Sequence, residues 1–287
     1  MKPNRKKENH HFVPQSYLRN WCAADGKMWV HPLDGRSGFR ATPQNFATEK
    51  GLHDTSDIPE LADFDFEGEL STVEGLYSSR WLDFFNDTTN PRTKMNISRF
   101  IALFHLRNPI QRETIREVNA GFRALVERVG DQEKIDFITP DGKTLSVRTQ
   151  DIRNFTTDTP INIKTGFLVQ MRTAVEDLAK VLFARKWGVI YAPDSAPVFI
   201  TSDCPVVLHR GTSTRENFGF RTPGTEITFP ISPSKMLKIS DRFEQDGLHY
   251  PLLRLGDLNE GTVMTAERFI FSARKLENPP DDTGGAG

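Results

Sequence analysis

The chain has 287 residues, 37% of them hydrophobic and 26% charged, with 37 basic against 38 acidic side chains and a net charge of -1. That length holds one large domain or two modest ones, and the balanced charge excludes a global attraction for nucleic acid or an anionic membrane surface. No apolar run approaches the ~20 residues needed to cross a bilayer, and Cys22 and Cys204 stand far apart without CxxC spacing, which leaves no thiolate zinc site.

These features predict a cytoplasmic protein with no membrane partner and with buried, reduced thiols. Residues 1–9 read as a disordered basic arm. Behind it, His10-His11-Phe12-Val13-Pro14-Gln15-Ser16-Tyr17-Leu18-Arg19-Asn20-Trp21 sets two adjacent histidines ahead of a proline turn. Pro14 biases Val13 toward an extended conformation, whereas Tyr17, Leu18 and Trp21 share one face of a short helix. The expectation is an extended arm carrying the histidines into a helical turn at Pro14-Gln15. Neighbouring residues on a strand point to opposite faces, so both histidines could serve one site only if the backbone there is irregular.

Asp25-Gly26 signals a hairpin before the strand-like Lys27–His31, and Asn45–Asp65, without a sustained period, reads as a long surface connection. A helix is predicted from Asp65 to Asn86 through Leu70, Val73, Tyr77 and Trp81. The longest helical signal runs from Asn96 to Val129, with a kink at Arg107-Asn108-Pro109, because proline removes a backbone donor and clashes with the preceding turn. Gly130 stops it. A small hairpin across Asp141-Gly142, a helix from Asn162 to Arg185, short β-type runs from Trp187 to Ile239, a helix near Leu258–Glu267 and a strand at Arg268–Ser272 complete the pattern.

Helices first and strands afterwards indicate an α+β fold: a helical part over 65–185, with its long Pro-kinked helix, packed on a β-rich, mostly antiparallel part over 186–272. The predicted organisation is a single domain over 10–277 followed by a disordered tail over 278–287.

The candidate chemistry gathers at a few places. Thr201, Ser202 and Asp203 close an apolar strand just before Pro205, where a carboxylate can be held rigidly as a ligand or base, or can merely cap its own turn. His10, His11, Asp203 and Glu74 are the candidate reaction-centre residues, with His10, His11 and Asp203 as ligands for Mg, Mn or Zn. Arg107, Asn108, Arg112, Thr201 and Ser202 are the candidate substrate contacts, the arginines because a guanidinium fork suits phosphate or carboxylate. Metal with arginine is recurring equipment for phosphodiester hydrolysis. The bland alternative makes Arg107, Arg112 and Glu74 helix caps and buried ties. No GxGxxG, GxxxxGK[ST] or GxSxG motif is present, so no nucleotide cofactor and no serine nucleophile is expected.

HHFVPQSYLRNW at 10–21, GELSTVE around Glu74, FIALFHLRNPIQR at 100–112, FITSDCPV at 199–206 and ITFPISPSKML at 227–237 together resemble a mainly bacterial family known as the domain of unknown function 4238. The resemblance spans roughly residues 10–272. Where that family tends to have Asn this chain has Cys204, and where it tends to have Phe-Tyr this chain has Gly51-Leu52-His53. The opening also resembles that of HNH endonucleases, but the spacing of Asn20 and His31 and the missing helix after the hairpin argue against that fold.

Two functional readings stand. One is a divalent-metal-dependent hydrolase acting on a phosphodiester of nucleic acid or a nucleotide, as a toxin or anti-phage effector. The other is a non-catalytic ligand-sensing or protein-interaction module in which the His/Asp/Arg cluster is structural.

Overall fold

A computed structural model describes residues 9–61, 64–86, 90–139, 142–193, 196–212, 218–251 and 256–277. Residues 1–8 of the basic arm, the tail and the Asp141 half of the second hairpin turn lie outside them, whereas Asn9, expected in the disordered arm, opens a strand. In chain order, β1 (Asn9–His11) leads into α1 (Gln15–Leu18) and a 3-10 turn (Arg19–Trp21), then β2 (Met28–Pro32), β3 (Phe39–Ala41) and β4 (Thr48–Lys50). The helices α2 (Phe66–Asn86), α3 (Pro91–Leu106) and α4 (Gln111–Val129) follow, then the hairpin β5 (Lys134–Ile138) and β6 (Thr144–Arg148), α5 (Thr149–Thr156) and α6 (Pro160–Ala184). The last part holds β7 (Trp187–Tyr191), β8 (Thr201–Ser202), β9 (Val207–His209), β10 (Glu226–Ser232), β11 (Lys235–Ile239), β12 (Leu248–Pro251), α7 (Gly256–Met264) and β13 (Phe269–Ser272). The fold is α+β, as the pattern predicted, and no described helix is long and apolar enough to cross a membrane.

The chain divides into two compact units where the sequence reading has one domain. The larger comprises Met1–His53, Asp65–Asn108 and Ala174–Gly287; the smaller comprises Asp54–Phe64 and Pro109–Thr173. In the larger unit, β12, β7, β11, β10 and β9 form a five-stranded sheet in that order, and β3, β2, β13 and β8 a four-stranded one. All their pairings are antiparallel except β12 beside β7. The arm strand β1 pairs with β4 alone.

The core of this unit grows from the opening motif. Tyr17 and Trp21 are fully buried on one face, as their spacing predicts. The Tyr17 ring lies 4.8 Å from Trp21, 5.0 Å from Phe104 of α3 and 5.2 Å from Phe229 of β10. Aromatic pairs at such distances add to the burial of their large apolar area. Helix and sheet thus meet through the arm, and Phe100 continues the cluster to Tyr77 of α2.

The long helix is the main departure. In place of one kinked helix over 96–129 there are two, α3 and α4, with a break at 107–110. α3 starts early because Asn90 caps it, its side chain accepting from the amides of Arg92 and Thr93, with Pro91 in the first turn. It stops because Pro109 has no amide to give and disfavours a helical Asn108. The chain passes from the larger to the smaller unit at this proline.

The smaller unit has its own core of Val126, Ile135 and Ile152, flanked by Leu125, Val129, Phe137 and Val147. Here α4 ends at Gly130, whose φ of 67° is the left-handed conformation that glycine accepts at no steric cost. Asn45–Asp65, read as a surface connection, instead contains β4 and the buried residues Leu52 and His53.

Candidate functional site

Pairing of β1 with β4 sets His10 opposite Glu49 and His11 opposite Thr48. β1 is a regular strand, so its two histidines are sent apart. On one side, His11 Nδ1 lies 3.2 Å from the Phe46 carbonyl and its Nε2 2.8 Å from the Gln15 amide nitrogen. A carbonyl can only accept, so Nδ1 carries the His11 proton and Nε2 takes a hydrogen bond from Gln15. Burial lowers the pKa of His11, with the Phe46 bond working against it.

On the other side a compact polar group forms. After β4 the chain turns at Gly51, with φ of 70°, and returns His53 to the arm. There the His53 amide donates to His10 Nδ1 at 2.9 Å, and the two imidazole rings stack 5.2 Å apart at 9°. Asp65, just before α2, accepts from the Gly68 amide, and this start of the helix places Glu67 in its first turn. Glu67 Oε1 is 2.7 Å from His53 Nδ1 and 3.9 Å from His10 Nε2. His10, His53 and Glu67 each offer a ligating atom within 4.8 Å of the others; this is the one His/Cys/Asp/Glu group with that geometry among the described residues.

Burial pushes the His53 pKa down more strongly than the Glu67 carboxylate raises it, and the bond from His53 pulls the Glu67 pKa below its usual value. A neutral His53 therefore donates through Nδ1 to an ionised Glu67, which leaves a lone pair on Nε2. That nitrogen is buried and has no hydrogen-bond partner. In this arrangement Glu67 orients the ring; for His53 and Glu67 to hold one ion together, Nδ1, the nitrogen that faces the carboxylate, must give its proton to Nε2.

Most of the remaining predicted residues assemble elsewhere in the same unit, as a tie between motifs. Arg107, 1% exposed, donates through Nε to the Phe12 carbonyl at 2.9 Å and through Nη1 to Glu74 at 2.6 Å; its Nη2 is buried with no partner. Asn108 donates to the Asp203 carbonyl at 2.6 Å. The Asp203 carboxylate accepts from the amides of Glu267 and Arg268, both at 2.9 Å. Burial raises its pKa against these bonds.

Tyr17 donates its hydroxyl proton to the Pro230 carbonyl at 2.8 Å, so the Thr201 hydroxyl, 2.6 Å away, donates to Tyr17. Ser202 accepts from the Cys204 amide, and burial drives the Cys204 thiol well above the ordinary range. The sequence motifs do converge. They converge on a buried lattice of hydrogen bonds, and that lattice leaves Asp203 and Glu74 outside the metal-capable group. Arg112 belongs to the smaller unit, with its guanidinium over the Phe167 ring.

Of the sequence-predicted ligands, only His10 stands in the metal-capable group. His53 and Glu67 were missed. His53 lies in a segment without periodicity, within Gly51-Leu52-His53, where the chain departs from the family pattern. Glu67 is one of several acidic residues early in α2, and nothing local distinguishes it.

No curated protein and no solved structure matches the chain. Residues 9–275 match a family described as "Protein of unknown function (DUF4238)", which bears out the resemblance of the motifs: the chain belongs to the DUF4238 family.

Proposed function

We propose that the chain is a metal-dependent hydrolase whose ion is held by His10, His53 and Glu67, with phosphodiesters of nucleic acid or nucleotides as its substrate class and a toxin or anti-phage effector as its setting. The observation that carries this reading is the approach of three ligating atoms to within 4.8 Å. Two imidazoles and a carboxylate are a ligand set that can lower the pKa of a bound water to about 7 and polarise a phosphoryl oxygen. The expected participation of Asp203 and Glu74 is dropped from the proposal, since each is committed to other partners.

The test is metal content by plasma mass spectrometry, together with hydrolysis of bis(p-nitrophenyl) phosphate and of single- and double-stranded oligonucleotides. Wild type is compared with folded His53→Ala and Glu67→Gln. A bound ion and metal-stimulated hydrolysis, both lost in the variants, support the reading. A wild type that takes up neither an added transition metal nor magnesium overturns it.

A second reading, the non-catalytic module, is favoured by the tie of Arg107, Asn108, Asp203 and Tyr17, in which candidate residues bind the backbone of neighbouring segments. It expects their variants to lose stability with no loss of any reaction.

A further inference from the structure

We infer that the ion taken by His10, His53 and Glu67 is a borderline transition metal of the zinc class, not magnesium, and that its entry moves the proton of His10 from Nε2 to Nδ1, moves that of His53 from Nδ1 to Nε2, and releases the His53 amide. This inference rests on the metal reading above and names its ion and its switch.

The donor set decides the ion. Two of the three ligands are imidazole nitrogens, which suit zinc, nickel, copper and iron; magnesium prefers six oxygens in a nearly ideal octahedron and gives up water reluctantly. Exposure decides which side stays open. The His53 side chain is 0% exposed, that of His10 11% and that of Glu67 57%. The protein therefore covers the nitrogen side of the group, and an ion there faces solvent past Glu67. Three protein ligands with an open fourth position describe a reactive zinc site; a structural one is closed by four.

The hydrogen bonds of the group decide the switch. The His53 amide donates to His10 Nδ1 at 2.9 Å, so that nitrogen supplies a lone pair. The proton of neutral His10 must then sit on Nε2, the nitrogen that faces Glu67 at 3.9 Å. A protonated Nε2 cannot bind an ion. Coordination through it requires the proton to move to Nδ1, where it would meet the His53 N–H head-on, so the 2.9 Å bond opens. His53 Nδ1, which faces Glu67 and carries the His53 proton, must likewise pass that proton to Nε2 before it can share an ion with the carboxylate. A magnesium ion held by Glu67 and water would leave this arrangement as it is. The two ions thus differ in a property that can be read directly.

The experiment is nuclear magnetic resonance of the full chain labelled with 15N histidine, titrated with zinc chloride and, separately, with magnesium chloride. Imidazole nitrogen shifts report the tautomer, and hydrogen exchange at the His53 amide reports the bond. The metal-free chain is expected to show His10 protonated on Nε2 and His53 on Nδ1. One equivalent of zinc is expected to convert His10 to the Nδ1–H form and His53 to the Nε2–H form and to speed exchange at the His53 amide at least tenfold, and millimolar magnesium to do none of these. Glu67→Gln is expected to keep both metal-free tautomers and to weaken zinc binding at least tenfold.

Zinc binding at these residues with an unchanged His10 tautomer and a protected His53 amide overturns this inference and leaves the metal reading standing. Magnesium producing the same conversion as zinc overturns the assignment of the ion. No binding of either ion removes the metal reading and this inference together.

Discussion

Two polar regions lie in the same unit, each built from polar and charged side chains, and are in opposite states. In the tie between motifs, Asp203 has a backbone amide on each carboxylate oxygen, Asn108 is spent on a carbonyl, and Tyr17 has an acceptor and a donor at its hydroxyl. In the rim group, Glu67 has most of its side chain in solvent and His53 keeps a buried nitrogen without a partner. Polar groups withdrawn from water cost free energy unless paired, so the first region reads as architecture and the second as capacity held open. The residue type does not decide which is which; the state of the partners does. Arg107 is the intermediate case, with two nitrogens tied and Nη2 left over.

The comparison is broken most directly at Arg107. Replacing it with Met leaves the Phe12 carbonyl and the Glu74 carboxylate without their donor, and removing one partner of a buried pair costs about 3–5 kcal/mol. Urea denaturation is expected to show a loss of that size, with zinc binding by the folded fraction intact. Loss of zinc binding without loss of stability would reverse the roles of the two regions.

Acid sharpens the same contrast through His105 on α3. Burial holds it at about 4, below its ordinary value of 6.5. Between those limits the unfolded chain takes up a proton that the folded chain refuses. The stability tied to neutral His105 is therefore complete above pH 6.5, falls as the pH drops toward 4, and changes little below that. Its size is about 3 kcal/mol. Stability measured from pH 7 to pH 4 in wild type and His105→Gln is expected to show a steeper fall in wild type; parallel curves would exclude this contribution.

Tyr17→Phe removes one hydroxyl from the tie and leaves the Pro230 carbonyl and the Thr201 hydroxyl short of a partner, at a cost of about 1–2 kcal/mol. A thermal unfolding curve unchanged by this substitution would show that the tie is slack. Smallest in stability is Glu67→Gln, expected within about 0.5 kcal/mol of wild type because the side chain is largely in solvent and glutamine can still accept from His53. Its effect should appear in zinc affinity and in the hydrolysis that depends on it.

Local pattern was enough for much of the fold. α2 and α6 lie where apolar residues recur at helical spacing, and the opening motif turns from strand to helix at Pro14-Gln15 as predicted. The sequence also showed that His10 and His11 could share a site only on an irregular backbone, and β1 is regular. The break between α3 and α4 exceeded the expected kink because a proline's effect depends on whether packing holds the two halves in line. Here Arg107 and Asn108, just before Pro109, are drawn into hydrogen bonds with residues about 95 positions away. β4 was not legible at all: a three-residue strand has no period, and its partner is the arm at the far end of a long connection.

By itself the sequence determined the α+β class, the family and the segments that matter. These follow from periodicity, turn residues and motif spacing, all of which act over a few neighbouring positions. Only the tertiary structure decided what those segments do for one another. His10, His53 and Glu67 are brought together by a strand pairing, a left-handed turn and a helix start, while Asp203 is withdrawn from them by two amides more than sixty residues away. Whether a polar side chain is satisfied depends on atoms distant in the chain, and no local pattern carries that information.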